Sequence, residues 1–399
     1  MRFAKWIGAA VLVLILGGAL VFFGNFYAKN PVQVEDSSHS NSTITKTTTG
    51  SSKKGVQVTG KATDDQYKTV IKDGTYLVSK ARGMTASQNN DNVFNMVSFE
   101  TGLLDFSKQH FSPKSYIFQE GQYLTMATAE NWLNRKSEKN PDGINPEDNG
   151  KTDDSRVPIY LQSIEEQDFM TQDGNDLKLG GIVIGMAMNT TDYYQKEQYG
   201  ATYSQTISKD DMIAHGKTMA EEVIKRYRQM KGIDQNIPIV VAMYAQAAND
   251  SLSGGSYYAW SEAKSGDSLG AWQNLNYESV VLPMQEGNDN SKSVADELNK
   301  SFVNFQNNIQ NFFPNLSSVT AQAQYNGPNL LGMNVTVTTQ FYSATEIDSF
   351  ANYISQVAPN YLPSNVPVQI RLTASTGMQS VIIKKQNEKV YTVVNMGSY

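Results

Sequence analysis

The sequence predicts an α+β protein in which two related β-α-β-β units follow an N-terminal membrane segment and a disordered spacer. Three observations support this prediction: an uncharged apolar run near the N-terminus, a polar low-complexity stretch behind it, and a strand, helix, strand, strand pattern that occurs twice. The predicted boundaries are 1–28 for the membrane segment, 29–62 for the spacer, 63–283 for the first and larger unit, and 284–399 for the second.

The N-terminal run extends from Trp6 to Phe23 without a charge, after the cations Arg2 and Lys5. As a helix it is about 27 Å long, close to the thickness of a hydrocarbon core. The positive-inside rule places the N-terminus in the cytoplasm and the body on the extracytoplasmic face. A cleavable signal peptide is the alternative, but Phe26 stands where a small residue would precede cleavage. We therefore predict an uncleaved anchor in the cytoplasmic membrane.

The spacer, residues 30–60, is rich in Ser, Thr, Asn and Gly and shows no apolar periodicity. This composition is typical of a flexible chain, which here would hold the body away from the membrane.

The first unit begins with an apolar stripe at helical spacing within residues 92–111, and Pro113 follows it. The stripe consists of Phe99, Leu103, Phe106 and His110. Further along we predict strands at 115–125, 180–189, 236–246 and 255–264, a helix at 208–232 with Ser208 as N-cap, and an exposed loop at 136–156.

The second unit repeats this order with a strand at 331–342, a helix at 343–357, and strands at 365–375 and 378–385. The words "NIPIVVAM" and "NVPVQIRL" align by eye at the strand after each helix. This weak internal similarity predicts a duplication.

Charge and cysteine content exclude some functions. Without residues 1–29 the chain has 30 basic and 39 acidic residues, a net charge of −9, which disfavours nucleic acid as a partner. The absence of cysteine excludes disulfides and a lipid-bearing thioether, and Ala19 stands where a lipoprotein signal would place its cysteine.

The word "GDSLG" fits a nucleophile-elbow pattern around Ser268. Such a serine needs a histidine base, which follows the serine in these hydrolase families. No histidine follows His215, so we interpret Ser268 as a turn residue. His110 and His215 are interpreted as ordinary helix residues rather than as catalytic bases.

Metal and cofactor sites are not predicted. The histidines are far apart in the sequence, and the calcium-loop-like words "DGNDLKLG" and "EGNDNSKSVADE" lack required residues. We interpret both words as solvated turns.

The glutamates Glu100, Glu120, Glu165 and Glu166 lie among aromatic or apolar residues. Two carboxyl groups about 5–10 Å apart could act as acid and base on a sugar. The sequence does not say which of them meet, and we favour a structural role.

Several long strings occur together and in order, among them "FETGLLDFSKQHFSPKSYIFQEGQYLT", "VPIYLQSIEEQDF", "GGIVIGMAMNTTDYY" and "HGKTMAEEVIKRYR". From about residue 65 to 395 the chain resembles the CamS family, the sex-pheromone-precursor-type lipoproteins of Gram-positive bacteria. The resemblance implies a body of two related repeats on the outer face of the membrane. In some members a hydrophobic peptide from the signal sequence acts as a pheromone. The missing lipoprotein cysteine argues against such release here.

From these observations we predict a non-catalytic surface binding or accessory protein, with a cleft between the units for a peptide, a cell-wall fragment or a surface protein. The candidate cleft residues are Arg82, Glu100, Glu120 and Tyr123. One alternative is the precursor of a pheromone from the signal peptide. A further alternative is a carboxylate-dependent cell-wall hydrolase.

Overall fold

A computed structural model describes residues 56–396 apart from 61–62, 88–89, 154, 175, 198, 252, 285–292, 313–317 and 342. The predicted membrane segment and most of the predicted spacer lie outside the described residues. Among the described residues, no helix is both long enough and apolar enough to cross a membrane.

The described part of the chain is a mixed α+β fold, as predicted, with more sheet than helix. Its α-helices are α1 (Met96–Ser107), α2 (Met126–Leu133), α3 (Lys209–Gln229), α4 (Asp296–Phe312) and α5 (Ala344–Val357). A short 3₁₀ helix, Ala358–Asn360, follows α5.

The strands form two large sheets and one separate hairpin. The strands of the first sheet are β1 (Val56–Val58), β2 (Lys68–Lys72), β3 (Thr75–Tyr76), β4 (Ile117–Glu120), β5 (Leu161–Asp173), β6 (Asp176–Asn189), β9 (Ile239–Gln246), β10 (Ser256–Ala263) and β11 (Gln273–Asn274). The hairpin consists of β7 (Thr191–Gln195) and β8 (Thr202–Thr206). The second sheet consists of β12 (Tyr277–Leu282), β13 (Ser318–Asn326), β14 (Asn329–Thr338), β15 (Val368–Ala374), β16 (Gly377–Lys384) and β17 (Thr392–Asn395).

The first sheet has the order β1-β2-β4-β5-β6-β9-β10-β11, with β3 beside β2, and it carries helices on both faces. Helix α1 packs on one face beside an aromatic core that contains Phe99, Phe106 and Phe169. Helices α2 and α3 pack on the other face, over a separate core around Tyr227 and Ile184. The result is a three-layer arrangement with two apolar cores.

The second sheet has the order β12-β13-β14-β15-β16-β17 and one apolar core. Helices α4 and α5 contact each other, and both belong to this core through Phe302, Phe305 and Phe350. The alternate side chains of the strands, such as Gln322 and Arg371, are exposed. This part of the molecule therefore has two layers.

The same strand connection occurs in both sheets. In the first, β6 runs parallel to β9 across α3, and β10 pairs antiparallel with β9. In the second, β14 runs parallel to β15 across α5, and β16 pairs antiparallel with β15. The shared topology agrees with the order of elements predicted for the two units, whose origin by duplication stays a prediction.

Two details differ from the sequence-based expectations. Strand β12 belongs to the second sheet, although the predicted boundary between 283 and 284 assigns it to the first unit. It pairs with β13 along its whole length.

Helix α1 ends at Ser107, whereas the predicted apolar stripe continues to His110. His110 therefore lies beyond the helix, in a turn closed by a hydrogen bond of 3.0 Å from the His110 N–H to the Ser107 carbonyl. This turn directs Phe111 onto Phe169, with ring centroids 4.6 Å apart.

Candidate functional site

A cavity of about 210 Å³ opens in the three-layer part of the molecule, between α1, the end of β4, the middle of β5 and the segment 79–83. We call it the carboxylate cavity, because its polar lining includes the side chains of Arg82, Glu100, Glu120 and Glu165. Three of the four predicted cleft residues therefore meet at one place.

Helix α1 brings Glu100 to the cavity. The side chain of Asn95 caps the helix by accepting a bond from the Ser98 N–H at 3.0 Å. Phe99 and Leu103 then anchor one face of the helix in the aromatic core. Glu100 follows Phe99 by one helical position, so it lies at the edge of the buried face rather than within it.

Strand β4 brings Glu120, and Gly121 ends this strand. A Cβ atom on Gly121 would lie 2.5 Å from the Cβ of Glu166 and 2.7 Å from its carbonyl oxygen. Only a glycine therefore lets the chain cross β5 this closely. The expected strand 115–125 is shortened to 117–120 for this reason.

Arg82 bridges two of the glutamates. Its Nη2 lies 3.1 Å from Glu120 Oε1, and its Nε lies 3.7 Å from Glu100 Oε1. The other oxygen of Glu120 accepts a bond from the Ser79 N–H at 2.7 Å. Burial raises the pKa of Glu100, and Arg82 opposes this rise. The side chain of Arg82 is half exposed, so the bridge lies at the mouth of the cavity.

Glu165 is the third carboxyl group. Its Oε1 accepts a bond from Gln167 Nε2 at 3.1 Å. Its Oε2 is buried and has no hydrogen-bond partner among the described residues. Burial, with smaller contributions from Glu100 and Glu120, raises the pKa of Glu165 to about 8. Glu165 is therefore protonated at neutral pH.

The neighbouring acids of β5 have a structural role. The carboxylate of Glu166 accepts bonds from the N–H groups of Tyr123 and Leu124, at 2.8 and 2.6 Å, and from the Tyr227 hydroxyl at 3.1 Å. Burial, together with Glu166, raises the pKa of Asp168 well above its usual value. These acids fasten the loop after β4 to the sheet.

Tyr123 does not line the cavity, contrary to the prediction. Its backbone bonds to Glu166, and its ring packs against the core under α2 and α3 and close to Gly232. Glu165, which the predicted cleft omits, takes its place in the cavity. Strand pairing explains this, because Gln167 lies opposite Glu120 in the sheet and Glu165 projects to the same face as Gln167.

The serine and the two histidines considered above as a possible nucleophile and possible bases lie outside the cavity. Ser268 occupies an exposed turn, and its Oγ donates to Asp267 at 3.5 Å. His215 stacks on Tyr160 with centroids 3.9 Å apart. His110 packs against Trp260, with ring centroids 4.4 Å apart, and burial lowers the pKa of His110.

Neither calcium-like word forms a site among the described residues. The word at 173–180 spans the turn between β5 and β6, where Gly174 has φ +60°. Most of the word at 286–297 lies outside the described residues. No group of three or more acidic or histidine side chains that could hold a metal ion occurs in the described ranges.

A second and larger cleft, about 870 Å³, lies between the two sheets. The first sheet and its hairpin contribute Thr190, Thr206 and Tyr258, and the second contributes Glu278 and Pro328. A cleft between the units is therefore present, but none of the predicted cleft residues line it.

These observations define a two-sheet α+β protein with a small cavity lined by carboxyl groups. A family model described as CamS sex pheromone cAM373 precursor matches residues 76–390. The chain therefore belongs to the CamS family, which confirms the resemblance found in the sequence.

Two solved structures support this assignment. The sex pheromone precursor from Lactobacillus salivarius subsp. salivarius UCC118 is 51% identical, with TM-score 0.81, over 86% of this chain and 100% of that chain. The C-terminal domain of the sex pheromone staph-cAM373 precursor from Staphylococcus aureus is 28% identical, with TM-score 0.63, over 76% of this chain and 97% of that chain. No curated protein matches the chain.

Proposed function

We propose that this CamS-family protein is a non-catalytic surface binding or accessory protein, held on the extracytoplasmic face of the cytoplasmic membrane by Trp6–Phe23. The carboxylate cavity is the observation that supports a binding role. It joins a few ionisable groups from four separate segments with apolar residues such as Met96, Leu104 and Ile164 at one opening, and a largely apolar lining with a few convergent polar groups is usual for a ligand site.

The size of the cavity favours binding over processing of a polymer. Its volume of about 210 Å³ is below the roughly 300–1,000 Å³ of sites that enclose a drug-sized ligand. Such a space accepts an end group or a side chain. The partner would then be a peptide, a cell-wall fragment or a surface protein that presents one group to the cavity.

Thermal unfolding of the full chain in detergent micelles tests this proposal, with muropeptides, teichoic acid fragments and oligopeptides as the panel. A ligand at a hundredfold excess over its Kd stabilises the folded state by about 2.7 kcal/mol, a shift of a few degrees. Glu100→Gln should reduce the shift, whereas Glu138→Gln, an exposed residue outside the cavity, should not. If no compound shifts the unfolding and no surface partner crosslinks to the protein on intact cells, the proposal is wrong.

A second candidate function is that of a carboxylate-dependent cell-wall hydrolase. It is favoured by Glu165, because an acid with its pKa raised to about 8 beside other carboxyl groups is the pattern of an acid and base pair. Release of sugars from purified cell wall by the wild type, and its loss in Glu165→Gln and Glu120→Gln, would support this function. Absence of any release would exclude it for the substrates tested.

A third candidate function, that of pheromone precursor, is supported by the description of the matching family. Mass spectrometry of culture medium should then find a peptide from within Ile7–Phe23. An intact N-terminus on the membrane-bound protein would exclude release from most of the molecules.

We also infer that the two β-α-β-β segments arose by duplication. The parallel pair joined across a helix, followed by an antiparallel strand, supports this inference in both sheets. The difference in layers, three against two, agrees with the prediction that the first unit is the larger.

A further inference from the structure

The charges in the carboxylate cavity do not balance. Glu166 also belongs to the lining, but its carboxylate is bonded to the N–H groups of Tyr123 and Leu124 and to the Tyr227 hydroxyl. The three remaining carboxyl groups face one guanidinium, that of Arg82, and they belong to Glu100, Glu120 and Glu165. Among the described residues that line the cavity, Arg82 is the one cation, and its contacts go to Glu100 and Glu120.

Glu165 is the group left without a cationic partner. Its Oε1 bonds to the neutral amide of Gln167, and its buried Oε2 has no hydrogen-bond partner among the described residues. An unpaired buried carboxyl oxygen is costly, because it has lost its water without gaining another hydrogen-bond partner. The cavity beside it therefore suits a ligand that brings a donor and a positive charge.

The three carboxyl groups restrict the class of ligand. A phosphate or carboxylate would be repelled by Glu100 and Glu120. A calcium ion prefers six to eight oxygen ligands, and the described residues contain no group of acids arranged to hold a metal. A primary ammonium is compact, carries three donors, and fits a space of about 210 Å³ together with a short stem.

We propose that the carboxylate cavity binds a primary ammonium group, either a peptide N-terminus or a lysine-type side chain, with the carboxylate of Glu165 as its main partner. This inference rests on the binding function proposed above and specifies its ligand class. Arg82 remains on Glu120 and Glu100 at the mouth, so that two cations face three carboxylates in the complex.

Binding of the ammonium is coupled to release of a proton. Glu165 must ionise to pair with the ligand, and before binding it is protonated at neutral pH. The titratable groups that face it are Glu100 from α1, Glu120 from β4, Arg82 from segment 79–83 and Tyr257 from β10. Burial raises the pKa of Tyr257 well above its ordinary value, so Tyr257 keeps its proton between pH 6 and 7. With one proton released, the affinity should rise about tenfold per pH unit in this range.

The experiment is calorimetric titration of the full chain in detergent micelles at pH 6 and pH 7. One probe is Nα-acetyl-lysine methylamide, and the other is alanyl-alanine amide, which has a free N-terminus. Both are cationic in this range. Each is compared with its own derivative acetylated on the amine, which has lost the charge and two donors and has gained an acetyl group. Binding of one probe but not the other identifies the source of the ammonium.

We expect at least one amine to bind about tenfold more tightly at pH 7 than at pH 6, and its acetylated form not to bind. Glu165→Gln should weaken binding at pH 7 at least tenfold and remove the dependence on pH. Glu138→Gln is the matched control and should behave as the wild type. The melting temperature of each variant confirms that it is folded.

Three results would overturn the inference: no binding of either amine, equal binding of the acetylated forms, or unchanged binding by Glu165→Gln. If the amines fail while a muropeptide or peptide of the panel stabilises the protein, the inference is wrong and the proposed function stands. If nothing in the panel binds and no surface partner crosslinks on intact cells either, both are wrong.

Discussion

Glu165 and Glu166 are consecutive residues of one strand, yet their carboxyl groups have opposite surroundings. Glu166 accepts three hydrogen bonds on the face covered by α2 and α3. Glu165 projects to the face covered by α1, where one of its oxygens has no hydrogen-bond partner among the described residues. The alternation of side chains along a strand is the cause. As a result, Glu166 holds the loop after β4, whereas Glu165 is suited to contact a ligand.

The raised pKa of Glu165 has a consequence for stability. Between its ordinary value of 4.5 and about 8, the folded protein binds a proton at Glu165 that the unfolded chain has lost. Stability therefore falls as pH rises through this window, by up to about 1.4 kcal/mol per pH unit for this group. Glu165→Gln should flatten the fall measured by urea unfolding at pH 5, 6, 7 and 8, while Asp168 contributes in the same direction. An unchanged slope would contradict the prediction.

The buried ion pair between Arg156 and Asp192 leads to a second prediction about single residues. Asp192 also accepts a bond from the Ile159 N–H at 2.9 Å, and its side chain is fully buried. Asp192→Ala should cost about 3–5 kcal/mol in unfolding free energy, because it leaves the Arg156 charge buried and uncompensated. The control is Asp173→Ala, which removes the exposed pair with Lys178, 2.9 Å, and should cost less than about 1 kcal/mol. Similar losses in both variants would contradict this explanation.

At the scale of elements, close approach between the aromatic core and the first sheet explains the glycines of β6. A Cβ atom on Gly181 would lie 2.2 Å from Cε1 of Phe111, whose ring stacks on Phe169. In the sequence these glycines only interrupt a β-branched run. The structure shows that Gly181 leaves room for the ring of Phe111, from the turn after α1, and that Gly185 leaves room for the ring of Phe99 in α1.

Gly181→Ala should therefore destabilise the fold by about 1–3 kcal/mol, because Phe111 must leave its position over Phe169. Gly332→Ala in β14 is the matched control. The nearest atoms to its added Cβ are 3.5 Å away, an ordinary contact, so the lower entropy of the unfolded chain should stabilise it by about 0.4–1 kcal/mol. Urea unfolding of both variants measures the difference, and a Gly181→Ala variant as stable as the wild type would contradict the packing argument.

At the scale of the whole molecule, the proposed anchor is inferred from composition, whereas the body is defined by its packed cores. The run Trp6–Phe23 is suited to a membrane by composition alone, and it lies outside the described residues. The described part of the body has its own apolar cores. The two sheets enclose a cleft that neither forms alone.

Leu14→Arg combined with Leu16→Arg should move the protein out of the membrane fraction. Each arginine near the centre of a spanning helix costs about 2.5–3.5 kcal/mol of insertion free energy. Thr47→Arg combined with Thr49→Arg adds the same charge to the predicted spacer and should leave the protein in the membrane fraction. Immunoblots of membrane and soluble fractions compare the two. Equal retention of both variants would contradict the proposed anchor.

Local sequence determined several of the elements, although helix α2, strand β5 and the β7–β8 hairpin were not predicted. The stripe of Phe99, Leu103 and Phe106 predicted α1, the N-cap Ser208 predicted the start of α3, and the strand patterns around 180–189 and 236–246 predicted β6 and β9. These predictions succeed because periodicity and capping depend on residues a few positions apart. Helix α1 ended earlier than the stripe suggested, because the packing of Phe111 on Phe169 decides where the chain turns.

The sequence by itself also determined the family and the acidic charge of the body, and Arg82, Glu100 and Glu120 were predicted from it as cleft residues without evidence that they meet. Only the tertiary structure decided that Glu165 completes this cluster and that Tyr123 lies outside it. It also decided that strand β12 joins the second sheet. The physical reason is that strand register and helix docking bring together residues far apart in the chain, and a local pattern carries no information about which of them will meet.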